Sequence, residues 1–215
     1  MSSFRSAIVT GGASGIGAAV VRALEEEGTE VESLDLATGF DVSDPAVWDA
    51  VGSVDFAFLN AGIGGSGDDL AGYRRMLGTN VDGVVFGVRR LEQVMEPGGS
   101  IVATASLAGI TPMPADPIYT LTKHAVVGYV RAVAPQLAGR EIRINAVCPG
   151  FVDTPIVSAD LREWIDGEGI PLMQPEQVAH AVLVAARSGE TGQAWVVQPG
   201  REPMPYEFRG VPGPR

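Results

Sequence analysis

Short apolar runs alternate with helix-like stretches along most of the chain, and this alternation constrains the fold more than any other feature. Strands are predicted at 7–10, 30–35, 39–42, 54–59, 100–105, 142–148 and 194–198. Helices are predicted between them at 15–27, 45–51, 70–95, 117–139 and 175–187. Asp44-Pro45 and Asp116-Pro117 are predicted as the N-cap and first position of two of them. Because strands separated by helical crossovers pair in parallel, the sequence predicts an α/β fold built on a parallel sheet.

Composition excludes several classes of protein. The 215 residues suffice for one domain with a sizeable core. A formal net charge of −11 disfavours a nucleic-acid or anionic-membrane surface, since either needs a basic patch. The single cysteine, Cys148, cannot form an internal disulfide, and we find neither a signal-peptide pattern nor an apolar run of about 18 residues. We therefore expect a cytoplasmic protein.

A glycine-rich loop follows the first predicted strand. Its glycines at 11, 15 and 17 let the backbone turn tightly and approach a pyrophosphate, and Gly17 also lets the next helix pack against the sheet. The start of that helix, at Ser14, Gly15 and Ile16, offers free N–H groups and the positive end of the helix dipole. A strand, this loop and a helix in that order predict a dinucleotide site.

An acidic residue, Asp35, ends the second predicted strand. A carboxylate there can accept hydrogen bonds from the adenosine ribose and would repel a 2′-phosphate. Neither the following Leu36 nor Ser14 in the loop is the Arg or Lys that a phosphate would favour. The sequence therefore predicts NAD in preference to NADP. The alternative is that Asp35 merely ends a strand in a turn.

Three side chains suited to proton transfer follow in the second half of the chain. Ser106 comes directly after a predicted strand, and Tyr119 and Lys123 lie one turn apart on the next predicted helix. Free tyrosine has a pKa near 10, so we expect the charge of Lys123 to help stabilise the phenolate. Each of these three residues, taken alone, could have a structural role without any part in catalysis. Together they predict hydride transfer between nicotinamide and an alcohol or ketone carbon.

These residues resemble the pattern of the short-chain dehydrogenase/reductase family over nearly the whole chain. The matching elements are the Gly11, Gly15 and Gly17 loop, Asp41-Val42, Asn60-Ala61-Gly62, Asn80, Ser106, Tyr119 with Lys123, Asn145, and Pro149-Gly150 through Val152 and Thr154. The resemblance implies a single doubly wound Rossmann-type parallel sheet of about seven strands with helices on both faces. It also implies an NAD-dependent alcohol dehydrogenase or ketone reductase. We expect one dinucleotide-binding and catalytic domain over residues 1–200 and an extended tail over 201–215.

The resemblance also implies a role for each matching residue. Tyr119 would act as general acid and base on the substrate oxygen, Ser106 would hydrogen-bond that oxygen, and Lys123 would hold the nicotinamide ribose. Asn80 would order a water beside the lysine. The remaining residues would contact the cofactor: Asp41 and Val42 flank the adenine, Asn60, Ala61 and Gly62 line the cleft, Pro149 and Gly150 shape a turn, and Val152 and Thr154 hold the carboxamide. Asn60 has an alternative role, which is to pin adjacent strands.

The chain is shorter than the family pattern at 41–54, after Gly62, and at 155–172. The substrate pocket is therefore expected to be open, or completed by a neighbouring subunit or by the tail. Mostly apolar predicted walls favour a modest-sized secondary alcohol or ketone. Arg162 is the one basic residue in 155–172, which disfavours an acyl-carrier-protein or coenzyme A thioester. The resemblance also suggests a homodimer or homotetramer.

Two other functions fit parts of the pattern. A nucleotide-sensing regulator on the same fold usually lacks the tyrosine or the lysine, and both are present here. A methyltransferase also has a glycine-rich loop and an acid after its second strand, but it does not need Ser106, Tyr119 and Lys123 together. His124 and His180 lack metal-ligand spacing, and no metal site is predicted.

Overall fold

The chain folds around one seven-stranded sheet, seen in a computed structural model that describes residues 4–65 and 69–210. The strands are β1 (Ser6–Thr10), β2 (Glu30–Leu34), β3 (Phe56–Leu59), β4 (Ser100–Thr104), β5 (Arg143–Pro149), β6 (Ala194–Val197) and β7 (Met204–Pro205). Their spatial order is β2-β1-β3-β4-β5-β6-β7. The first six are parallel and β7 is antiparallel to β6. This order confirms the doubly wound Rossmann-type fold.

Helices cover both faces of the sheet. They are α1 (Gly15–Glu26), α2 (Leu70–Leu77), α3 (Gly83–Val94), α4 (Pro117–Ala138), α5 (Ala159–Gly167) and α6 (Pro175–Arg187). A π-helical turn at Gly78–Asp82 joins α2 to α3, so the long helix predicted at 70–95 is confirmed with one irregular turn. Within 4–65 and 69–210, none of the helices combines the length and the apolar character needed to cross a bilayer.

Side chains alternate between two hydrophobic cores along each central strand. On β3, Phe56 and Phe58 belong to the core on the α1 and α6 face, whereas Ala57 and Leu59 belong to the core on the α3 and α4 face. All four are at most 2% exposed. Burial on both faces explains why the strands read as continuous apolar runs.

The strand predicted at 39–42 is wrong. Gly39 ends a 3₁₀ turn (Leu36–Thr38) in the left-handed region, at φ 89°. Asp41 then turns the chain, since its Oδ1 accepts hydrogen bonds from the Ser43 N–H at 2.9 Å and the Ser43 hydroxyl at 2.7 Å. The seventh strand is instead β7 in the tail, which pairs with the edge of β6. Helix α5, whose N-terminus Ser158 caps, was not predicted either.

A short 3₁₀ helix at Pro45–Ala50 confirms the brief helix predicted at 45–51. Trp48 fills the space beneath it, being 2% exposed and donating its indole N–H to the Val42 carbonyl at 3.0 Å. Arg90 on α3 holds the end of this helix by donating to the carbonyls of Val51 at 2.8 Å and Asp49 at 3.1 Å. Trp48 and Arg90 therefore anchor the shortened segment to the core and to α3.

The described part of the tail runs along the sheet edge and onto α4. The Tyr206 N–H donates to the Ala194 carbonyl at 2.7 Å, and the Phe208 ring lies 3.7 Å from the Arg131 guanidinium. Arg131 is three helical turns, about 18 Å, from Tyr119 along α4. Residues 211–215 of the predicted tail and 66–68 of the loop after β3 lie outside the described residues.

Candidate active site

Most of the predicted site residues gather at the carboxyl ends of β1, β3, β4 and β5, beside the first turns of α4. The chain crosses from one side of the sheet to the other between β2 and β3, which opens a crevice at this edge. Asn145 is an exception, because its side chain bonds the turn that precedes β6, at the Glu190 carbonyl (2.8 Å) and the Gln193 N–H (2.9 Å). The structure therefore does not bring Asn145 to the cleft.

The glycine-rich loop is tightly folded against its surroundings. Gly11 and Gly15 have φ angles of 65° and 52°, a region that disfavours other residues. A side chain at Gly17 would start 2.1 Å from the Gly11 carbonyl oxygen, so helix α1 begins in direct contact with the loop. Ser14 precedes the helix as an exposed residue and makes no capping hydrogen bond through its side chain. Its hydroxyl and the first N–H groups of α1, including that of Ile16, can bind an anion.

Asp35 ties the end of β2 to this loop. Its Oδ2 accepts a hydrogen bond from the Ala13 N–H at 3.1 Å, and its Oδ1 accepts one from the Ala37 N–H at 2.9 Å. A carboxylate has about four acceptor positions, so both oxygens retain the capacity to bind ribose hydroxyls. Leu36 beside it is 71% exposed and offers no cationic group.

Asn60 pins three strands together where β3 ends. Its Nδ2 donates to the Thr10 carbonyl at 3.1 Å, and its Oδ1 accepts from the Thr104 hydroxyl at 3.1 Å. The Thr10 hydroxyl in turn accepts from the N–H groups of Asn60 and Ala61. These contacts match the alternative role, pinning strands, that the sequence left open. Val42 lies outside this network, with its side chain packed against Gly83.

Lys123 is buried beside the tyrosine. It is 2% exposed, its Nζ donates to the Thr104 carbonyl at 2.9 Å, and Nζ lies 5.4 Å from the centre of the Tyr119 ring. Burial lowers the pKa of Lys123 to about 8, so the ammonium is still the main form at neutral pH. One of its three N–H groups is used by Thr104, which leaves two for other partners.

In the isolated chain, the pKa of Tyr119 moves in the direction opposite to the one we expected. Burial raises it to about 12, and a hydrogen bond with Ser106 offsets part of that rise. Loss of solvation is therefore the largest influence on this pKa, ahead of the hydrogen bond with Ser106. The Ser106 oxygen also accepts the Ala108 N–H at 3.1 Å, which fixes the side chain. The Ser106 hydroxyl therefore faces the Tyr119 oxygen.

Asn80 lies in the π-helical turn, a feature common at functional sites. It is 1% exposed, and its side chain bonds both backbone groups of Ile63, at 2.8 Å to the N–H and 2.9 Å to the carbonyl. A side chain at Gly62 would start 3.3 Å from Asn80 Oδ1 and 3.4 Å from Lys123 Nζ. The structure therefore brings Asn80, Lys123 and the loop after β3 into one cluster.

The segment after β5 crosses above the glycine-rich loop. The Gly150 N–H donates to the Val197 carbonyl at 3.1 Å, and Val152 forms a parallel bridge with Met173. A side chain at Gly15 would start 3.0 Å from the Thr154 methyl group. Pro149, which ends β5, leads into this segment. Thr154 thus lies directly against the glycine-rich loop, whereas Val152 packs in the hydrophobic core.

Apolar groups form the other wall of the cleft. Gly64 lies between Ile156 and the Tyr119 ring, because a side chain there would start 3.6 Å from Ile156 Cγ1 and 3.7 Å from Tyr119 Cδ2. Ile156 is 45% exposed, and Trp164 on α5 is 50% exposed with its ring against Phe151. This wall suits an apolar ligand.

Sequence reasoning missed several residues that build the site. Asp116 was predicted only as the N-cap of α4, although its second carboxylate oxygen also reaches the loop after β3. Thr104 and Thr122, which bond Lys123 and Asn80, carried no signal because a threonine in a strand or helix is ordinary. Among the described residues, we find no group of three or more His, Cys, Asp or Glu side chains that could hold a metal ion.

Comparisons with known proteins relate the chain to several oxidoreductases. A family model described as enoyl-(acyl carrier protein) reductase matches residues 44–201. Borneol dehydrogenase, mitochondrial, from Lavandula x intermedia is 34% identical, over 84% of this chain and 82% of its own. A 3-alpha-(or 20-beta)-hydroxysteroid dehydrogenase from Mycobacterium tuberculosis strain H37Rv is 32% identical, over 90% of this chain and 88% of its own.

Solved structures give the same result. A 3-ketoacyl-(acyl-carrier-protein) reductase from Brucella melitensis complexed with NADH superposes with a TM-score of 0.79 at 26% identity, over 92% of this chain and 98% of that one. A short-chain dehydrogenase/reductase family oxidoreductase from Burkholderia thailandensis gives 0.80 at 26% identity, over 93% of each chain. With its doubly wound sheet and this match over most of its length, the chain belongs to the short-chain dehydrogenase/reductase family of oxidoreductases.

Proposed function

We propose that the protein is an NAD-dependent dehydrogenase that oxidises a modest-sized, apolar secondary alcohol and reduces the ketone in reverse, with Tyr119 as general base and acid. The observation that carries this proposal is the cluster at the head of α4. Lys123 Nζ lies 5.4 Å from the centre of the Tyr119 ring and, with Asn80, beside the backbone of Gly62. Ser106 faces the same phenol. Burying an ammonium group costs free energy, and a purely structural role would not require one at this place.

The residues of the cleft fit a dinucleotide. Because the loop glycines carry no side chains, the loop backbone is open to a pyrophosphate. Asp35 and Lys123 still have hydrogen-bonding positions free for the two riboses. When bound, the oxidised nicotinamide would accept the hydride, and its positive charge would favour the phenolate. Val152 and Thr154 would orient the carboxamide from the opposite side of the cleft.

Tyr119 would take the hydroxyl proton of the alcohol as the hydride leaves the carbinol carbon. Ser106 would turn its hydroxyl proton from Tyr119 to the same oxygen, while its own oxygen still accepts the Ala108 N–H. Lys123 would then supply a positive charge beside the phenol and, with Asn80, a polar route by which the proton leaves the site. In the reverse direction the protonated Tyr119 would donate to the ketone oxygen.

Selectivity for NAD rests on two neighbouring residues. Asp35 places a negative charge where a 2′-phosphate would lie, and the exposed Leu36 supplies no counter-charge. The chain as a whole carries a net charge of −11, which would further disfavour the more anionic cofactor.

An apolar alcohol fits the substrate wall better than a thioester of an acyl carrier or of coenzyme A. The single basic residue of the α5 region, Arg162, is paired with Asp153. Helix α5 also carries the acids Asp160, Glu163 and Asp166, which would repel a phosphopantetheine group or an acidic carrier protein. The matching family model and one relative, an acetoacetyl-CoA reductase, are named for such thioesters. The two substrate classes therefore need to be compared directly.

The test is a panel of secondary alcohols of increasing size, assayed with NAD and with NADP, beside acetoacetyl-CoA with NADH. We expect turnover of apolar alcohols with NAD, and a loss of about 10²-fold or more in kcat for Tyr119→Phe with NADH binding retained. Turnover of the thioester alone would contradict the substrate class. Tight NADH binding without any turnover would favour a nucleotide-sensing regulator instead.

A further inference from the structure

Asp116 joins two separate parts of the cleft through one carboxylate. Its Oδ1 accepts the Tyr119 N–H at 2.8 Å and so caps α4, while its Oδ2 accepts the Gly65 N–H at 3.0 Å. The two bonds link the helix that carries the reacting phenol to a loop 51 residues earlier in the chain. We propose that Asp116 is a positioning residue that fixes the wall at 62–65 against Tyr119 and thereby sets how substrate meets the phenol. The proposal rests on the proposed function.

The wall at 62–65 has two anchors, and Asp116 is the outer one. The inner anchor is Asn80, which bonds both backbone groups of Ile63. Between the anchors lies Gly64, against the Tyr119 ring and Ile156. Gly65, the residue that Asp116 holds, has a φ of 68°, a conformation that glycine adopts readily. Removing the outer anchor would leave the inner one intact and loosen the wall where it touches the phenol.

Asp116 also acts on the phenol through its charge. The titratable groups facing Tyr119 are Lys123 on the same helix, Cys148 on β5 and Asp116 itself, with the Ser106 hydroxyl beside them. Burial raises the pKa of the Cys148 thiol to about 12, so this thiol is neutral near pH 7. The negative charge of Asp116 raises the pKa of Tyr119 and favours its protonated form. One residue therefore affects both the shape of the wall and the proton affinity of the phenol.

The chain contains a matched control, because Asp44-Pro45 repeats the Asp-Pro helix start of Asp116-Pro117. Asp44 Oδ1 accepts the Ala46 N–H at 2.9 Å, in a helix that does not carry the site.

In Asp116→Asn the amide oxygen can still cap α4, but its NH₂ group faces the Gly65 N–H, so that two donors oppose each other. We expect KM for the alcohol to rise about fivefold with a smaller change in kcat. We also expect the pH profile of kcat/KM for oxidation to move about half a unit lower, because a negative charge is lost. Asp44→Asn should leave both quantities unchanged.

Amide hydrogen exchange at Gly65 gives a readout that does not need turnover. The exchange should be faster in Asp116→Asn, and also in Asp116→Ser, whose shorter side chain can cap the helix without reaching Gly65. If the wild type turns over no alcohol, the proposed function fails and this exchange alone decides whether the link exists. Unchanged exchange, or an unchanged KM and pH profile in an active and folded Asp116→Asn, would overturn the proposal. Equal changes in Asp44→Asn would overturn it as well.

Discussion

The two walls of the cleft are built differently. On the cofactor side, Asp35 and Asn60 hydrogen-bond to backbone groups of the loop and strands, and the Gly17 backbone leaves no room for a side chain. On the substrate side, Ile156 and Trp164 are about half exposed and make apolar contacts. The difference indicates that the proposed cofactor site is preformed, whereas the proposed substrate site is an open apolar surface. Substitutions should therefore have large effects on the first side and graded effects on the second.

Gly17→Ala should have the largest effect, because its new methyl group would start 2.1 Å from the Gly11 carbonyl oxygen. Backbone must move to relieve this contact, and the loop would lose the shape that admits a pyrophosphate. We expect NADH affinity to fall by more than about 100-fold in a fluorescence titration. A variant that binds NADH like the wild type would show that the cofactor wall is not preformed.

Lys123→Met tests whether Lys123, which lies between the two walls, is buried as an ammonium. The quantity to compare is the pH dependence of the free energy of unfolding. The pKa of Lys123 is lowered from 10.5 to about 8, so between these values the unfolded chain binds more protons and the wild type gains stability as pH rises. From pH 8 to pH 10 the wild type should gain about 2 kcal/mol over the variant in the free energy of unfolding.

Urea melts of both proteins at the two pH values provide the measurement. The pKa values of Cys148 and Tyr119 are raised to about 12 by burial, so these groups act in the opposite direction, losing stability as pH rises. They are present in both proteins and cancel in the difference. A difference independent of pH would mean that Lys123 is not buried as a charged group.

Asp35→Ala combined with Leu36→Arg should reverse the cofactor preference. The first change removes the charge that repels a 2′-phosphate, and the second supplies a cation at an exposed position. We expect NADH to bind about tenfold more weakly and NADPH about tenfold more tightly, as measured by titration of each reduced cofactor. If the wild type already binds both equally, selectivity does not come from these two residues.

Gly64→Ala should have the smallest effect and provides the counterpart of Gly17→Ala on the substrate wall. Its methyl group would make ordinary contacts, 3.6 Å from Ile156 and 3.7 Å from Tyr119. The variant should fold and bind NADH normally, while KM for bulky alcohols rises a few-fold and KM for small ones stays the same. A loss of NADH binding as large as that of Gly17→Ala would remove the contrast between the walls.

Local signals explain what the sequence predicted correctly. The Asp-Pro helix starts at Asp44 and Asp116, the strand that delivers Ser106, and the spacing of Tyr119 and Lys123 all depend on neighbouring residues. The false strand at 39–42 also came from a local pattern. There, Phe40 is apolar because it packs edge-on against Trp48, a contact eight residues away that periodicity does not reveal.

Distant contacts explain what could not be predicted. The bond from Gly65 to Asp116 spans 51 residues, and the pairing of β7 with β6 joins a two-residue strand containing a proline to a sheet edge. The pKa of Tyr119 was expected to fall because the sequence shows the lysine beside it but not the depth of burial. Burial is a property of the assembled fold, and here it is the larger effect.

The position of β7 has a consequence for how the protein is made. Synthesis proceeds from the N-terminus, and the outer edge of β6 finds its partner only after Met204 and Pro205 have been synthesised. Until then, β6 presents unpaired backbone groups that could pair with another nascent chain. Pairing of β7, rather than formation of the first six strands, is therefore the step at which this sheet acquires its protected edge. Chains truncated before residue 204 should aggregate more readily during expression than the 215-residue chain.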